Sequence, residues 1–304
     1  MQNCFYDYVF FVSKLFTFLI AINIMLLLFS KTKKFRLKQQ VKIIDWVEDC
    51  KFCGNNFILN ALKNNKKEIP VVWLIDFYGD INASDIFILT KLITSILNGA
   101  KNNDEVVVRL ESSGGFFYSY GLAAAQLERL RKSSIKLTIC VDKMAASGGY
   151  MMACCADNLF AAPFSIIGSI GVVAQIANFH RFLKKHNVDV DILTSGKNKR
   201  TLTVLGKNTN KNKVKFIKEL KETHDFFKDY VLNRRPTINI NKVSKGDVWY
   251  GIKAVKEGLI DKVITSEEYL EIRSKKAKIF KLTVTTKATY FELIKNIFKK
   301  KLKL

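Results

Sequence analysis

In the first half of the chain, short apolar runs alternate with stretches of helical periodicity, and this alternation constrains the fold more than any other feature. Val71–Gly79, Glu105–Ser112 and residues 137–142 have the length and apolar content of buried strands. Residues 85–97 and 118–131, which lie between them, have the period of helices. Strands that alternate with helices of this length predict an α/β fold with a largely parallel sheet.

Two loops of this predicted sheet contain small and hydroxyl residues. Residues 112–115 (SSGG) follow the second strand, and residues 143–150 (KMAASGGY) follow the third. Ligands of parallel α/β folds bind at the carboxyl ends of the strands, where these loops would meet. Ser147 precedes two glycines at a predicted strand-to-helix turn, a setting that suits a nucleophile. Such turns also occur in proteins without catalysis, so the local sequence alone does not establish one.

A nucleophilic serine needs a base, and histidine is the usual one. The three histidines are His180, His186 and His224, and none lies in a glycine-rich loop. A Ser-His triad is therefore disfavoured, and a Ser-Lys dyad becomes the alternative. A lysine acts as a base only when desolvation or nearby cations lower its pKa. The residues themselves do not select one lysine among so many.

The net charge of +23 raises the question of a nucleic-acid or membrane partner. Lysine is spread along the whole chain together with Asn, Ile and Phe, which indicates a general compositional bias. No base-reading motif is present, so no specific nucleic acid is expected. A charge-driven nucleic-acid-binding module remains an alternative, and it would weaken steeply with added salt.

The six cysteines do not form a recognisable metal motif. Cys50 and Cys53 make one C-x-x-C pair, without a second pair or a nearby histidine, so neither a zinc ribbon nor any other metal or cofactor is expected. Cys154 and Cys155 lie in an apolar stretch and are predicted to pack in the core.

Residues 9–29 are almost wholly apolar, about the ~20 residues with which a helix spans a bilayer. The stretch lacks the basic start and small-residue end of a signal peptide, so residues 1–30 are predicted to be an uncleaved N-terminal membrane anchor. The positive-inside bias places the residues after this helix in the cytoplasm. The charges that follow the span are Lys31, Lys33, Lys34, Arg36 and Lys38.

The remainder of the chain divides by composition. Residues 31–69 are predicted to be a basic juxtamembrane linker with weak helical patterning, and residues 70–270 the globular domain. Residues 271–304 form a basic tail whose end, 290–304, is amphipathic. That end would lie either on an anionic membrane surface or in solvent as a terminal helix.

Residues 159–179 form a second apolar run, broken by a proline and two glycines. We interpret it as buried core around the site, with a second membrane span as the alternative.

Further along, residues 211–231 are predicted to be helical. Another helix is predicted to end at Gly258, before an edge strand.

Five ordered segments carry a resemblance to a known family. The segments are ESSGG, DKMAASGGYMMACCAD, APFSIIGSIGVVAQ, SGKNKRTLTVLGKNT and WYGIKAVKEGLID. Together they resemble the signal peptide peptidase A family of serine peptidases, in particular its SohB branch, over residues 71–263. The resemblance implies a crotonase-like, ClpP-like α/β fold of repeated ββα units, preceded by one transmembrane helix, without cofactor. It also implies a membrane-bound serine endopeptidase.

The same resemblance implies roles for individual residues. Ser147, in the A-S-G-G-Y motif, would attack the peptide carbonyl. Lys199, in the K-R-T motif 52 residues later, would be the general base. Ser169, in the S-I-G-V motif, would orient the lysine side chain.

An oxyanion hole is also implied, formed by the amides of Gly114 and Gly115, with Gly148 as a further donor. Removing one such donor typically raises the barrier by ~2.7 to 4 kcal/mol. The chain departs from the family here, because Ser113 stands where the family usually has proline. This change frees φ and restores an amide proton, so the turn is expected to be less preorganised.

The resemblance finally implies partners and location. Expected substrates are peptides or unfolded proteins, cut in hydrophobic segments such as residual signal peptides. The protein is expected to form a homo-oligomer in the bacterial inner membrane and to contact lipid through its N-terminal helix. Two alternatives remain: a crotonase-type acyl-CoA enzyme on the same fold, and a membrane scaffold that has lost turnover.

Overall fold

The computed structural model describes residues 14, 16–18, 39–45, 69–101, 103–196 and 199–286. Val41–Val284 form one compact unit, and Met1–Gln40 with Thr285–Leu304 belong to another. Lys14 and residues 16–18 are helical. None of the helices in the described part of the chain combines the length and the apolar sequence that a membrane span requires. Most of the predicted anchor, the Cys50–Cys53 pair and the tail 290–304 lie outside the described residues.

Ten strands of the described chain form one sheet, in which most neighbouring strands are parallel. The strands are β1 (Gln39–Asp45), β2 (Val71–Gly79), β3 (Glu105–Ser112), β4 (Lys136–Val141), β5 (Met144–Ala146), β6 (Asn158–Ala161), β7 (Ile166–Gly168), β8 (Val248–Tyr250), β9 (Lys262–Val263) and β10 (Lys278–Thr286). The main order is β1-β10-β2-β3-β4-β6-β9, while β5 pairs with β3 and β7, and β8 pairs with β7. The β7–β8 pair is antiparallel. The predicted α/β class with a largely parallel sheet is therefore confirmed.

The helices cover both faces of this sheet. They are α1 (Ile86–Gly99), α2 (Phe117–Lys132), α3 (Gly148–Ala153), α4 (His180–Lys185), α5 (Asn210–Leu232), α6 (Ile240–Val243), α7 (Gly251–Ala254) and α8 (Ser266–Ser274). The larger core joins the sheet to buried side chains of α1, α2, α3 and α5. The smaller core lies on the opposite face and includes Leu270 of α8.

Strand β2 shows why the sequence folds in this way. Val72 and Leu74 point into the smaller core, whereas Ile75 and Phe77 point into the larger one. All four are buried, because helices cover both faces of the strand. A strand buried on both faces has a nearly continuous apolar sequence, which is the pattern that predicted β2.

The predicted elements of the domain are confirmed with small shifts of their ends. β2 and β3 have the predicted limits, and α1, α2, α5 and β4 begin and end within two residues of theirs. The helix predicted to end at Gly258 is shorter than predicted, because α7 ends at Ala254 and residues 255–258 form a turn. Gly258 has φ +73° and precedes the edge strand β9, as predicted. Strands β1 and β10 lie in the segments interpreted as linker and tail. These two strands were not predicted, because their lysines obscured the apolar strand pattern. The domain limits of residues 70 and 270 stay a prediction.

The apolar run 159–179 is only partly core. Leu159, Ala161, Ile167 and Ile170 are buried, as predicted for its first half. Residues 173–179 are exposed, so the interpretation as core is wrong for the second half. The run contains β6, β7 and an irregular segment but no helix.

A charged cluster links three neighbouring strands. Asp76 of β2 accepts hydrogen bonds from Arg109 of β3, with 2.6 Å to Nε and 3.0 Å to Nη2. Lys281 of β10 places its Nζ 2.9 Å from the same carboxylate. Burial raises the pKa of Asp76, but the hydrogen bonds and charges of Arg109 and Lys281 outweigh burial and leave it below its ordinary value.

This lowered pKa predicts an acid-sensitive contribution to stability. A carboxyl group whose pKa is depressed in the folded state stabilises the fold above its unfolded pKa. That contribution disappears as the pH falls through the folded pKa. Asp76→Asn should therefore lower the free energy of unfolding at pH 7 by about 1–3 kcal/mol, with a smaller difference from wild type at pH 3.

Urea unfolding of the full chain in detergent at both pH values measures this difference. Asp189→Asn is the matched control, because Asp189 pairs with Lys184 at an exposed site and should change stability by less than ~1 kcal/mol. A loss for Asp76→Asn that is equal at pH 7 and pH 3 would contradict the role given to its charge.

Candidate functional site

Ser147 lies in a tight turn between β5 and α3, as predicted. Its backbone has φ 52° and ψ −119°, and residues other than glycine rarely adopt a positive φ. Its amide donates to the Gly168 carbonyl at 2.8 Å, and its own carbonyl accepts from the Met151 amide at 3.0 Å. Strained residues that are held in this way cluster at functional sites.

The pairing of β5 determines what surrounds this turn. Ala145 of β5 is paired with Ser112 at the end of β3, and Ala146 is paired with Gly168 at the end of β7. Because these strands are parallel, the loops that follow them emerge at the same edge of the sheet. Loops 113–115 and 169–171 therefore flank the Ser147 turn.

The glycines of the first loop permit this close approach. Gly114 has φ +87°, and a Cβ there would lie 2.8 Å from the Ser147 Cβ and 2.7 Å from the Gly148 nitrogen. A Cβ on Gly115 would lie 2.0 Å from the Ile81 carbonyl oxygen. A side chain at position 114 would push the loop away from the serine turn, and a side chain at position 115 would push it away from Ile81.

The predicted oxyanion donors differ in their hydrogen bonding. The Gly114 amide donates to Ser112 Oγ at 3.0 Å, so it is already occupied in this structure. The amides of Gly115 and Gly148 have no hydrogen-bond acceptor among the described residues. The geometry therefore favours Gly115 and Gly148 as the pair that could bind a developing oxyanion, with Gly114 as a support of the turn.

A buried tyrosine packs against the turn. The Tyr120 hydroxyl lies 2.5 Å from Ser112 Oγ and donates to the Asp80 carbonyl at 2.7 Å. Burial raises the pKa of Tyr120, so its phenol stays neutral. A Cβ on Gly148 would lie 2.4 Å from Cγ of the Tyr120 ring. No sequence pattern predicts these contacts, because they join residues from separate elements.

Two cavities meet at Ser147. The smaller, with a volume of about 160 Å³, is lined mainly by Phe116, Phe117, Met151 and Phe227, and we call it the apolar pocket. The larger, of about 640 Å³, we call the polar cleft. Its polar lining consists of Ser113, Ser147, Ser169, His224, Ser244 and Lys245, together with Gly114 and Gly115.

Lys199 is not brought to this site by the single chain. It is exposed, its amide donates to the Gly196 carbonyl at 3.1 Å, and it lines neither cavity. Ser169, in contrast, lines the polar cleft together with Ser147. The structure thus gathers Ser147, Ser169, Gly114 and Gly115 around the polar cleft, with Gly148 in the adjoining apolar pocket, and leaves Lys199 outside both cavities.

Two basic residues of the cleft were missed from the sequence. His224 lines the cleft from α5, and its Nε2 is buried with no hydrogen-bond partner among the described residues. Lys245 lines the cleft from the loop between α6 and β8. The spacing of His224, Phe227 and Val231 could have signalled that His224 lies on the inner face of its helix.

The described cysteines are core residues. Cys140, Cys154 and Cys155 are all buried, and burial raises the pKa of the Cys140 and Cys154 thiols. The prediction that Cys154 and Cys155 pack in the core is confirmed. Across the described part of the chain, no group of three His, Cys, Asp or Glu side chains could hold a metal ion.

The contact between Gly148 and Tyr120 predicts the effect of a single methyl group. Gly148→Ala should lower the free energy of unfolding by about 1–3 kcal/mol, because the buried ring must shift. Gly121→Ala is the matched control, since a Cβ there meets nothing within 4 Å. In the middle of α2 the control should be neutral or stabilising by roughly 0.5–1 kcal/mol. Urea unfolding compares the two variants, and equal effects would contradict the packing described.

Comparisons with known proteins place this site in a family context. The sequence profile of peptidase family S49 matches residues 129–279, and that of the S49 N-terminal region matches residues 58–127. The "Probable protease SohB" of Haemophilus influenzae is 52% identical over 219 residues, which are 72% of this chain and 62% of that protein. This chain therefore spans less than two thirds of the Haemophilus protein.

Two further relatives with the same description come from Buchnera aphidicola. The protein of subsp. Schlechtendalia chinensis is 51% identical over 70% of this chain and 71% of its own length. That of subsp. Acyrthosiphon pisum is 42% identical over 88% of this chain and 86% of its own length. The similarity thus extends over most of this chain and over most of each Buchnera protein.

Proposed function

The chain belongs to peptidase family S49, and on that basis we propose that it is a serine endopeptidase with Ser147 as nucleophile and Lys199 as general base. The observation that carries this proposal is the strained Ser147 turn beside the unpaired amides of Gly115 and Gly148. A nucleophile adjacent to free backbone donors is the arrangement that acyl transfer requires.

The proposed reaction follows the chemistry of a Ser-Lys dyad. Ser147 Oγ attacks the peptide carbonyl carbon while its proton passes to the neutral Lys199 amine. The amides of Gly115 and Gly148 donate hydrogen bonds to the resulting oxyanion. Lys199 then gives the proton to the leaving amine, and an acyl-enzyme forms on Ser147. Water, deprotonated by the same lysine, then attacks the acyl carbon, the bond from this carbon to Ser147 Oγ breaks, and the lysine returns the proton to Oγ. Ser169 orients the lysine side chain.

The exposure of Lys199 leads us to propose a homo-oligomer. A lysine that acts as a base needs a desolvated setting, and Lys199 is exposed in the single chain. The segment that carries Lys199 also exposes large apolar side chains, among them Val173 (91% exposed), Phe182 (60%) and Leu193 (94%). Assembly with further copies would cover these side chains and could desolvate Lys199 at the serine turn.

The proposal extends to substrate and location. The apolar pocket beside Ser147 supports peptide or unfolded-protein substrates with apolar residues, such as residual signal peptides. Residues 1–30 would anchor the chain by lipid contact in a bacterial inner membrane, with the catalytic domain on the cytoplasmic side. We also propose a crotonase-like, ClpP-like arrangement of the parallel sheet and oxyanion loop. The proposal includes no specific nucleic-acid partner.

His224 is a second candidate base, favoured by one observation. It lines the same cleft as Ser147, and its buried Nε2 has no hydrogen-bond partner among the described residues. A free imidazole nitrogen could accept the serine proton. A comparison of variants separates the two bases.

Cleavage of a hydrophobic fluorogenic peptide by the detergent-solubilised full chain tests the dyad. Ser147→Ala and Lys199→Ala should each lower kcat/KM by at least roughly 10³-fold, because nucleophile and base act as a unit. His224→Gln should lower it by less than tenfold. Lys256→Ala, an exposed lysine away from the cleft, is the matched control for loss of charge and should keep wild-type activity.

The reverse result, with activity lost in His224→Gln and kept in Lys199→Ala, would replace the lysine by the histidine. An assembled wild-type protein with no activity would favour the membrane scaffold. Turnover of acyl-CoA thioesters that survives Ser147→Ala would favour the crotonase-type enzyme.

A further inference from the structure

The polar cleft is basic and contains no acidic residue in its lining. Lys245 and His224 both line it, whereas no Asp or Glu does. We propose that the cleft selects substrates that carry a carboxylate close to the scissile bond, and that Lys245 recognises this carboxylate. The inference rests on the proposed peptidase function and specifies which peptides the site prefers.

Lys245 is held near the serine by backbone contacts on its C-terminal side. The Gly246 amide donates to the Ile170 carbonyl at 3.2 Å, and the Asp247 carbonyl accepts from the Ser169 amide at 2.7 Å. The loop that carries Lys245 is thus fastened to the loop that carries Ser169. Both loops border the cleft that contains Ser147, so the backbone next to Lys245 is held at the cleft, and the exposed Lys245 lines its wall.

The charge of Lys245 is not neutralised within the described part of the chain. Lys242, three residues earlier, pairs with Glu257 at 2.7 Å. No described carboxylate pairs with Lys245. An uncompensated cation on the wall of a cleft attracts anions, and an ammonium group forms short, strong hydrogen bonds with a carboxylate.

His224 adds a second group that a ligand would satisfy. Its Nε2 is shielded from solvent and makes no hydrogen bond with any described residue. A buried polar atom without a partner is unfavourable, so a ligand that supplies one binds with an advantage. When Nε2 carries the proton, a carboxylate oxygen is a suitable acceptor.

The two cavities together indicate the arrangement of the substrate. The apolar pocket and the polar cleft share Ser147, Gly115 and Val172, so they adjoin at the nucleophile. A peptide across the site would place an apolar side chain in the pocket and its carboxylate in the cleft. The carboxylate could be an Asp or Glu side chain or the C-terminal carboxylate of a short peptide. Both present the same chemistry to Lys245.

Binding to the Ser147→Ala variant of the full chain in detergent tests this preference without turnover. Three dye-labelled peptides share one apolar sequence. The first has Asn next to the apolar residue and an amidated C-terminus, the second replaces Asn by Asp, and the third keeps Asn with a free C-terminal carboxylate. Fluorescence anisotropy gives each Kd.

At least one acidic peptide should bind roughly ten- to hundredfold more tightly than the neutral peptide, as expected for a charge-assisted hydrogen bond. Adding Lys245→Ala to Ser147→Ala should remove this advantage and leave the Kd of the neutral peptide within about twofold. Adding Lys256→Ala instead should preserve the advantage. The peptide that shows the advantage identifies the side-chain or the C-terminal carboxylate as its source.

Equal affinities for the three peptides, an advantage that survives Lys245→Ala, or no binding of any peptide would overturn the proposal. Because the readout is binding, a failure here differs from a failure of the peptidase function. A protein that cleaves neutral peptides but binds all three equally retains its function and loses only the proposed selectivity.

Discussion

The site depends on the short strand β5, which is paired with β3 on one side and with β7 on the other. These pairings end at Ala146, and the Ser147 amide continues them with a hydrogen bond to the Gly168 carbonyl. The chain must then reverse into α3, which forces Ser147 into its positive-φ conformation. Without this fixed strand end, neither the serine nor the amides beside it would have a defined direction.

The strain at this turn is sustained by the packing around it. Costs of about 1–3 kcal/mol for such a residue persist only where the surroundings over-determine its conformation. Here α3 is fully buried, Tyr120 supports it from below, and the glycines at positions 114 and 115 bring the neighbouring loop against it. Stability contributed by the core thus maintains a local conformation that is unfavourable by itself. Enzyme active sites commonly use this arrangement.

Periodicity was sufficient to predict β2, β3 and the main helices, because strands buried on both faces and helices with one apolar face have distinct patterns. It was also sufficient to place Ser147 in a strand-to-helix turn. It could not reveal that Ser112 and Tyr120 support this turn, or that His224 and Lys245 line the cleft, since these contacts join distant segments. Strands β1 and β10 were missed because lysines interrupt their apolar pattern. The role of Lys199 was predicted from family resemblance alone. The local sequence could not predict that Lys199 is exposed and outside the cleft in the single chain.

The strained Ser147 is proposed to be a reactive nucleophile, and reaction with a fluorophosphonate followed by peptide mass spectrometry tests this role most directly. The assembled protein in detergent should carry one adduct, which fragmentation of the labelled peptide locates on Ser147. Heat-unfolded protein should carry none there, because reactivity depends on the folded turn. An adduct on Ser113 or Ser169 instead, or equal labelling of folded and unfolded protein, would contradict the role assigned to Ser147.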